Sequence, residues 1–194
     1  MSNYSYEVEP INEFGKELLE IKTEKIRILT AMALEKAPEY FFFVPASSSG
    51  KYHSKKNLGM GGLVRHTKEV FWLGQELLNH PTFGGRLSDL EKDICRAAMI
   101  LHDSCKQGFD SGGGTVTEHP LLVRELLTLD DLEGPINVGL WGRICSVIST
   151  HMGPWTKNKE GKEVLPPPKD NLQALVHLAD YLASRKRVSV DYPI

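Results

Sequence analysis

The chain is poor in the features that would place it outside a cell, in a membrane or along a nucleic-acid duplex. It has only three cysteines, Cys95, Cys105 and Cys145. Their number is odd and no CxxC spacing occurs, so reduced thiols in a cytoplasmic protein are expected. No apolar run is long enough to cross a bilayer, and no membrane association is expected. The N-terminus, MSNYSYEVEP, lacks a basic region followed by an apolar stretch, so no secretory signal is read there. The net charge is only −2, which argues against a protein that coats nucleic acid electrostatically but allows a local basic cleft for a short end. Gly50-Lys51 lacks the GxxxxGK[ST] spacing of a phosphate loop. No internal repeat is present. Strand patterning is nearly missing: Phe41–Val44 is the one run with extended character, and its neighbours offer it no sheet.

What is present is helical spacing. The 194 residues are 41% apolar and 25% charged, an ordinary globular composition with length enough for a substantial core. From Ile11 to about Ala37, Ile11, Phe14, Leu18 and Ile21 fall on one helical face. Residues 40–62 read as a long loop, with Lys51, Lys55 and Lys56 in it. A helix follows from about Leu63 to Leu78, with His66, Val70, Leu73 and Leu77 sharing a face. Ser88-Asp89-Leu90-Glu91 is a capping box that opens a helix with Leu90, Ile94, Ala97, Ala98 and Leu101 inward and His102-Asp103 at its far end. A flexible loop over 108–117 leads to a helix opened by His119-Pro120. Another spans roughly Ile136 to His151. A polar and basic segment, 153–169, reads as a loop or lid, and a last helix runs from about Asn171 to Arg187. The expected fold is all-α, a single bundle of about six or more helices with long functional loops. Residues 1–45 are expected to form a helical segment packing on a core made by 46–194.

Six side chains stand out against this background: His66, His102, Asp103, His119, His151 and Asp180. Each projects from the buried face of its helical stretch, where an imidazole or carboxylate is costly without a partner. Six such groups on five segments suggest one shared partner, and a divalent metal is the economical one. Histidine and carboxylate are the ligands of hydrolytic metal sites. Taken singly, each histidine reads more simply as a hydrogen-bonded core residue; the ordered set changes that. His177, three residues before Asp180, reads as a supporting residue. Trp155, with Lys157 and Lys159 nearby, has the composition to stack a base, although a partly buried loop tryptophan is the commoner case. Arg185-Lys186-Arg187 suits the C-terminal end of a helix.

The order His66, His102-Asp103, His119, His151, Asp180 resembles the HD-domain metal-dependent phosphohydrolases. The resemblance is carried by Gly61-Gly62-Leu63-Val64-Arg65-His66-Thr67, by Ile100-Leu101-His102-Asp103-Ser104-Cys105-Lys106 as an apolar-HDxxK signature, and by Leu175-Val176-His177-Leu178-Ala179-Asp180. It covers about residues 50–187. Tyr52-His53 ahead of Gly61-Gly62, and the proline-rich stretch before the last helix, are most similar to the HD domains of bacterial 3′–5′ exoribonucleases. The resemblance implies that 46–194 is an HD domain. It implies one metal on His66, His102, Asp103 and Asp180, and a second on His119 and His151 with Asp103 bridging. Mn, Fe, Co, Ni or Zn suits such mixed ligation better than Mg alone. Asp103 and Lys106 are the implied catalytic residues, and Lys106, Arg65 and His53 the implied substrate contacts. The implied activity is hydrolysis of a phosphomonoester or phosphodiester, in a nucleotide or short oligonucleotide, by a metal-activated hydroxide. The implied partners are phosphorylated small molecules or short single-stranded nucleic acid. Two other readings share these residues: an HD-type di-iron oxygenase, and a non-catalytic helical domain that binds a nucleotide or a protein partner.

Overall fold

A computed structural model describes residues 9–47, 50, 54–110 and 114–193. Among them the α-helices are α1 (Pro10–Glu13), α2 (Gly15–Glu20), α3 (Glu24–Glu35), α4 (Gly62–Asn79), α5 (Asp89–Leu101), α6 (His119–Leu122), α7 (Leu129–Leu132), α8 (Pro135–Ile148) and α9 (Asn171–Ala183). No strand occurs among the described residues; one isolated antiparallel bridge joins Lys157 and Glu163. The fold is all-α. Nor is any helix among the described residues long and apolar enough to cross a membrane.

The centre of the bundle is α5, which packs on α3, α4, α8 and α9. Its start is fixed locally. Glu91 N donates to Ser88 Oγ at 3.3 Å and Ser88 N to Glu91 Oε2 at 2.8 Å, so the capping box forms and an acidic first turn faces the helix dipole. Its middle is fixed by packing: Ile94, Cys95 and the whole run Ala97–Leu101 are buried. Burying each large aliphatic side chain contributes roughly 1.5–3 kcal/mol. Close approach of α4 depends on Gly74, where an added Cβ would stand 2.0 Å from Met99 Sδ. Leu90, expected inward, is instead exposed. It stands in the first turn, before the buried stretch that begins at Asp93.

The helical pattern over 11–37 is broken into α1, α2 and α3. Phe14, Leu18, Ile21 and Ile26 still reach one core, while Ile11 is left largely outside it. The break at 21–23 has a tertiary cause. Thr23 N donates to Oδ2 of the buried Asp93 at 2.7 Å, and Oδ1 of the same carboxylate accepts from Arg96 at 2.7 Å. An N–H given to a side chain replaces one that a continuous helix would use. Trp72 Nε1 donates to buried Glu17 at 2.8 Å, and Lys68 pairs with Glu13 at 2.7 Å, tying this segment to α4.

Phe41–Val44 is not extended. Residues Glu39–Phe42 form a 3-10 turn that buries Phe41 and Phe42, with Phe41 stacked on Phe14 at 5.9 Å between ring centroids. The adjacent Tyr40 hydroxyl donates to the Gly108 carbonyl at 2.7 Å and accepts from Gln107 N at 2.9 Å. It thereby holds the turn that follows His102-Asp103. Two helices also end sooner than their apolar spacing suggests. α8 stops at Ile148, leaving His151 on a turn, and α9 stops at Ala183, leaving Arg185 beyond its end.

Candidate metal centre

His66 lies in the second turn of α4. His102 caps the C-terminus of α5, with Asp103 next to it. His119 opens α6, His151 sits on the turn after α8, and Asp180 is on α9. Three of the histidines are oriented by one local device. Nδ1–H donates to the carbonyl oxygen three residues earlier: His102 to Met99 at 2.8 Å, His119 to Val116 at 2.7 Å, and His151 to Ile148 at 2.9 Å. At the ends of α5 and α8 these carbonyls lack an intrahelical partner; the Met99 carbonyl takes the imidazole, and the Ile148 carbonyl takes it together with His151 N at 3.0 Å. The proton is thereby assigned to Nδ1 and the Nε2 lone pair turns inward.

All the inward nitrogens face Asp103 or Asp180. Asp103 Oδ2 is 3.5 Å from His102 Nε2 and 4.0 Å from His66 Nε2. Asp103 Oδ1 is 3.0 Å from His119 Nε2 and 3.7 Å from His151 Nε2. Each oxygen of one carboxylate thus serves a different pair of histidines. Asp180 Oδ1 adds to the first pair, at 3.0 Å from His66 Nε2 and 3.8 Å from His102 Nε2. The ligand atoms of His66, His102 and Asp103 lie within 4.8 Å of one another, and so do those of Asp103, His119 and His151.

Two details fit a cation. His102 Nε2 is fully buried and makes no hydrogen bond, a state that native structures rarely leave uncompensated. His119 Nε2 and His151 Nε2 face each other at 3.3 Å. Both Nδ1 hydrogens are given to carbonyls, so in the neutral rings two lone pairs meet there.

The electrostatics suit the same purpose. Burial alone would raise the Asp103 carboxyl, but Lys106, His102 and His119 outweigh it and hold it well below the usual carboxylate range. Asp180 is depressed in the same way by His66 and His102. Burial drives His102 down, and burial with His102 and His119 beside it pushes His151 down to about 3. Ionised carboxylates and neutral imidazoles are the forms that ligate metal.

A support for the centre comes from α9. His177 Nδ1 donates to the His151 carbonyl at 2.7 Å. Its ring lies over Gly153, whose φ is +61° and where an added Cβ would stand 2.2 Å from the ring. Only glycine permits both that backbone and that contact.

A cavity of about 400 Å³ opens over the centre, with His66, Asp103, His119, His151 and Asp180 lining it. Lys106 is also on its wall, with Nζ 2.5 Å from Asp103 Oδ2. Arg65 is placed elsewhere: it is not among the lining residues, and its Nε donates to the Lys56 carbonyl at 2.9 Å. Lys56 in turn pairs with Glu69 at 2.7 Å. His53, Lys51 and Tyr52 lie outside the described residues. The cavity also takes in Thr115, Met152, Tyr181, Ser184 and Arg185, which sequence reasoning did not single out as site residues. A signal for Tyr181 and Ser184 exists in hindsight, since they follow Asp180 within about one turn.

The family model of the HD domain matches residues 63–185, a span holding all six of the metal-site candidates. The chain belongs to the HD domain family. No curated protein and no solved structure matches it. HD domains are largely metal-dependent hydrolases and point to the metal-dependent phosphohydrolase superfamily. In this HD domain His66, His102 and Asp103 form one buried group able to hold a metal, and Asp103, His119 and His151 form another.

Proposed function

We propose that this HD domain is a metal-dependent phosphohydrolase with a dinuclear centre, cleaving a phosphomonoester or phosphodiester in a nucleotide or short single-stranded oligonucleotide. The observation that carries the reading is the division of Asp103: Oδ2 faces His66 and His102, and Oδ1 faces His119 and His151. On this reading His66, His102, Asp180 and Asp103 hold one ion, and His119, His151 and Asp103 the other. Mn, Fe, Co, Ni or Zn suits the ligand set. Such a pair of cations supplies a water ionised near neutral pH and offsets charge on the phosphoryl oxygens.

The chain's own residues have defined tasks. Asp103 stays ionised and acceptor-only, so both of its oxygens can ligate. Lys106, beside it on the cavity wall, donates to a phosphoryl oxygen of the bound ester. His102, His119 and His151 keep their protons on Nδ1 through backbone carbonyls, which prevents the rings from turning away. Substrate contact is assigned to Lys106 rather than Arg65, because Lys106 is the one of the two that lines the cavity. The resemblance of Tyr52-His53 and of the proline-rich stretch before α9 to exoribonuclease HD domains supports a nucleotide or short oligonucleotide as substrate.

The test is direct. Metal-stripped protein resupplied with manganese is incubated with nucleotides, cyclic dinucleotides and short single-stranded RNA and DNA, and products are read by mass spectrometry. A phosphate or mononucleotide product is expected, absent without metal and absent in Asp103→Ala. No product with manganese bound would overturn the reading. Iron content with oxygen-dependent turnover would then identify an oxygenase, and tight nucleotide binding without turnover a binding domain.

A further inference from the structure

The proposed chemistry uses the floor of the cavity and leaves its mouth unexplained. Trp155 is there, with a ring stacked on Tyr181 at 5.9 Å between centroids and 13° between planes. The Arg185 guanidinium lies 4.4 Å from the Tyr181 centroid. It is held in place by Nη2 on Ser184 Oγ at 2.7 Å and Nε on the Tyr181 carbonyl at 3.2 Å. All three residues line the same cavity as Asp103 and Lys106.

We infer that Trp155, stacked on Tyr181, whose ring also carries the Arg185 guanidinium, is a nucleobase-holding lip, so that the preferred ligand carries a purine or pyrimidine beside the phosphate seated at the centre. The inference rests on the phosphohydrolase reading only in placing a phosphate at the floor. Three observations carry it. First, Trp155 is 52% exposed while Trp141 is 3% exposed. A tryptophan that served packing alone would forfeit much of the gain from burying its ring. Second, the mouth pairs an aromatic surface with a guanidinium, the two planar groups on which bases stack, whereas a lone phosphate would need only the cations and Lys106. Third, the lip is fixed to the floor by short lengths of chain. Trp155 comes four residues after His151, and Tyr181 directly follows Asp180. A base on the lip therefore sets where its phosphate falls. The cavity, about 400 Å³, is within the ordinary range for small-molecule sites, roughly 300–1,000 Å³.

The plain alternative is that Trp155 only covers His177, whose ring centroid lies 6.0 Å from its own with the planes at 61°. Calorimetry on the manganese-loaded protein separates the two. The probes are the non-hydrolysable methylenephosphonate analogues of adenosine 5′-monophosphate and of methyl β-D-ribofuranoside 5-phosphate, in which a methoxy group replaces the base and keeps the ring closed. The wild type is expected to bind the adenosine analogue on the order of tenfold more tightly, the scale of one base–aromatic stack. Trp155→Ala should erase that preference, leave the ribose analogue unchanged and keep its manganese; Trp155→Phe should restore most of it. Equal binding of the two probes by the wild type overturns the inference, and so does an equal loss for both in Trp155→Ala. If Trp155→Ala does not fold, Trp155→Leu takes its place, and equal binding of the two probes by the wild type still overturns the inference. The outcomes also separate this inference from the function it extends. Base discrimination without hydrolysis of any ester removes the phosphohydrolase and leaves the lip. Hydrolysis with equal kcat/KM for base-bearing and base-free esters removes the lip and leaves the phosphohydrolase.

Discussion

The two halves of the centre share one carboxylate and are otherwise built differently. His66, His102 and Asp180 stand on or cap α4, α5 and α9, which pack pairwise in the middle of the bundle. His119 opens a four-residue helix, α6, and His151 lies on a turn beyond α8. The first half takes its geometry mainly from core packing, with one hydrogen bond of its own, His102 Nδ1 to the Met99 carbonyl. The second takes it from single hydrogen bonds: Nδ1 to Val116, Nδ1 to Ile148, and the His177 clamp on the His151 carbonyl. A half held by packing should survive the loss of one polar contact, and a half held by single bonds should not.

The largest expected effect removes the comparison altogether. Asp103→Ala takes a ligand from both halves, so metal content measured by mass spectrometry should fall from two ions to near none, with hydrolysis abolished. Retention of both ions would show that Asp103 does not bridge. The next effect separates the halves. His119→Ala should lose one ion and keep the other on His66, His102, Asp103 and Asp180; loss of both would mean that the halves are not independent.

A sharper cut is His177→Ala, which touches no ligand atom. Removal of a group that orients a ligand typically costs about 10–100-fold in metal affinity, and here the loss should fall on the ion at His119 and His151 alone. Gly153→Ala should mimic it, and should cost about 1–2 kcal/mol of stability from the left-handed backbone alone. An equal loss of both ions in His177→Ala would argue for a general loosening instead.

Much of this was legible in the sequence, and the reasons for the exceptions are physical. The apolar period showed the helices because most of their faces are buried. His66, the His102-Asp103 pair and Asp180 showed as polar groups on those faces. What the period could not show is where a tertiary hydrogen bond overrides it. Asp93 breaks the first helix by taking Thr23 N–H, and the aromatic run at 41–44 reaches the core through a 3-10 turn. The rim was less legible than the floor. Arg65 directly precedes the metal-site candidate His66 on α4, yet its guanidinium turns back to the 55–61 segment; Arg185 suits a helix end, yet it lines the cavity. Side chains near a site are placed by loop and terminus geometry, which residue spacing does not encode.

Smaller effects concern the metal-free protein. The folded-state value of His151, about 3, lies below the ordinary histidine value of about 6.5. Between these values the unfolded chain binds more protons than the native one, so stability is present above about pH 6.5 and declines as pH falls toward 3. The depressed Asp103 and Asp180 carboxyls act in the same direction at the acid end. Denaturant midpoints of the chelated protein should therefore fall on acidification through this window; a flat profile would contradict the buried neutral imidazole. The least effect should come from thiol reagents. Burial pushes Cys95, Cys105 and Cys145 up to about 12, so alkylation of native protein near neutral pH should be negligible until unfolding. Rapid labelling would show that the core opens.

The central claim is that one carboxylate joins two metal sites, and anomalous diffraction from manganese-soaked crystals tests it most directly. The expected result is two peaks about 3.5–4 Å apart, with Asp103 between them, His66, His102 and Asp180 on one and His119 and His151 on the other. A single peak, or two peaks of which Asp103 touches only one, would contradict it.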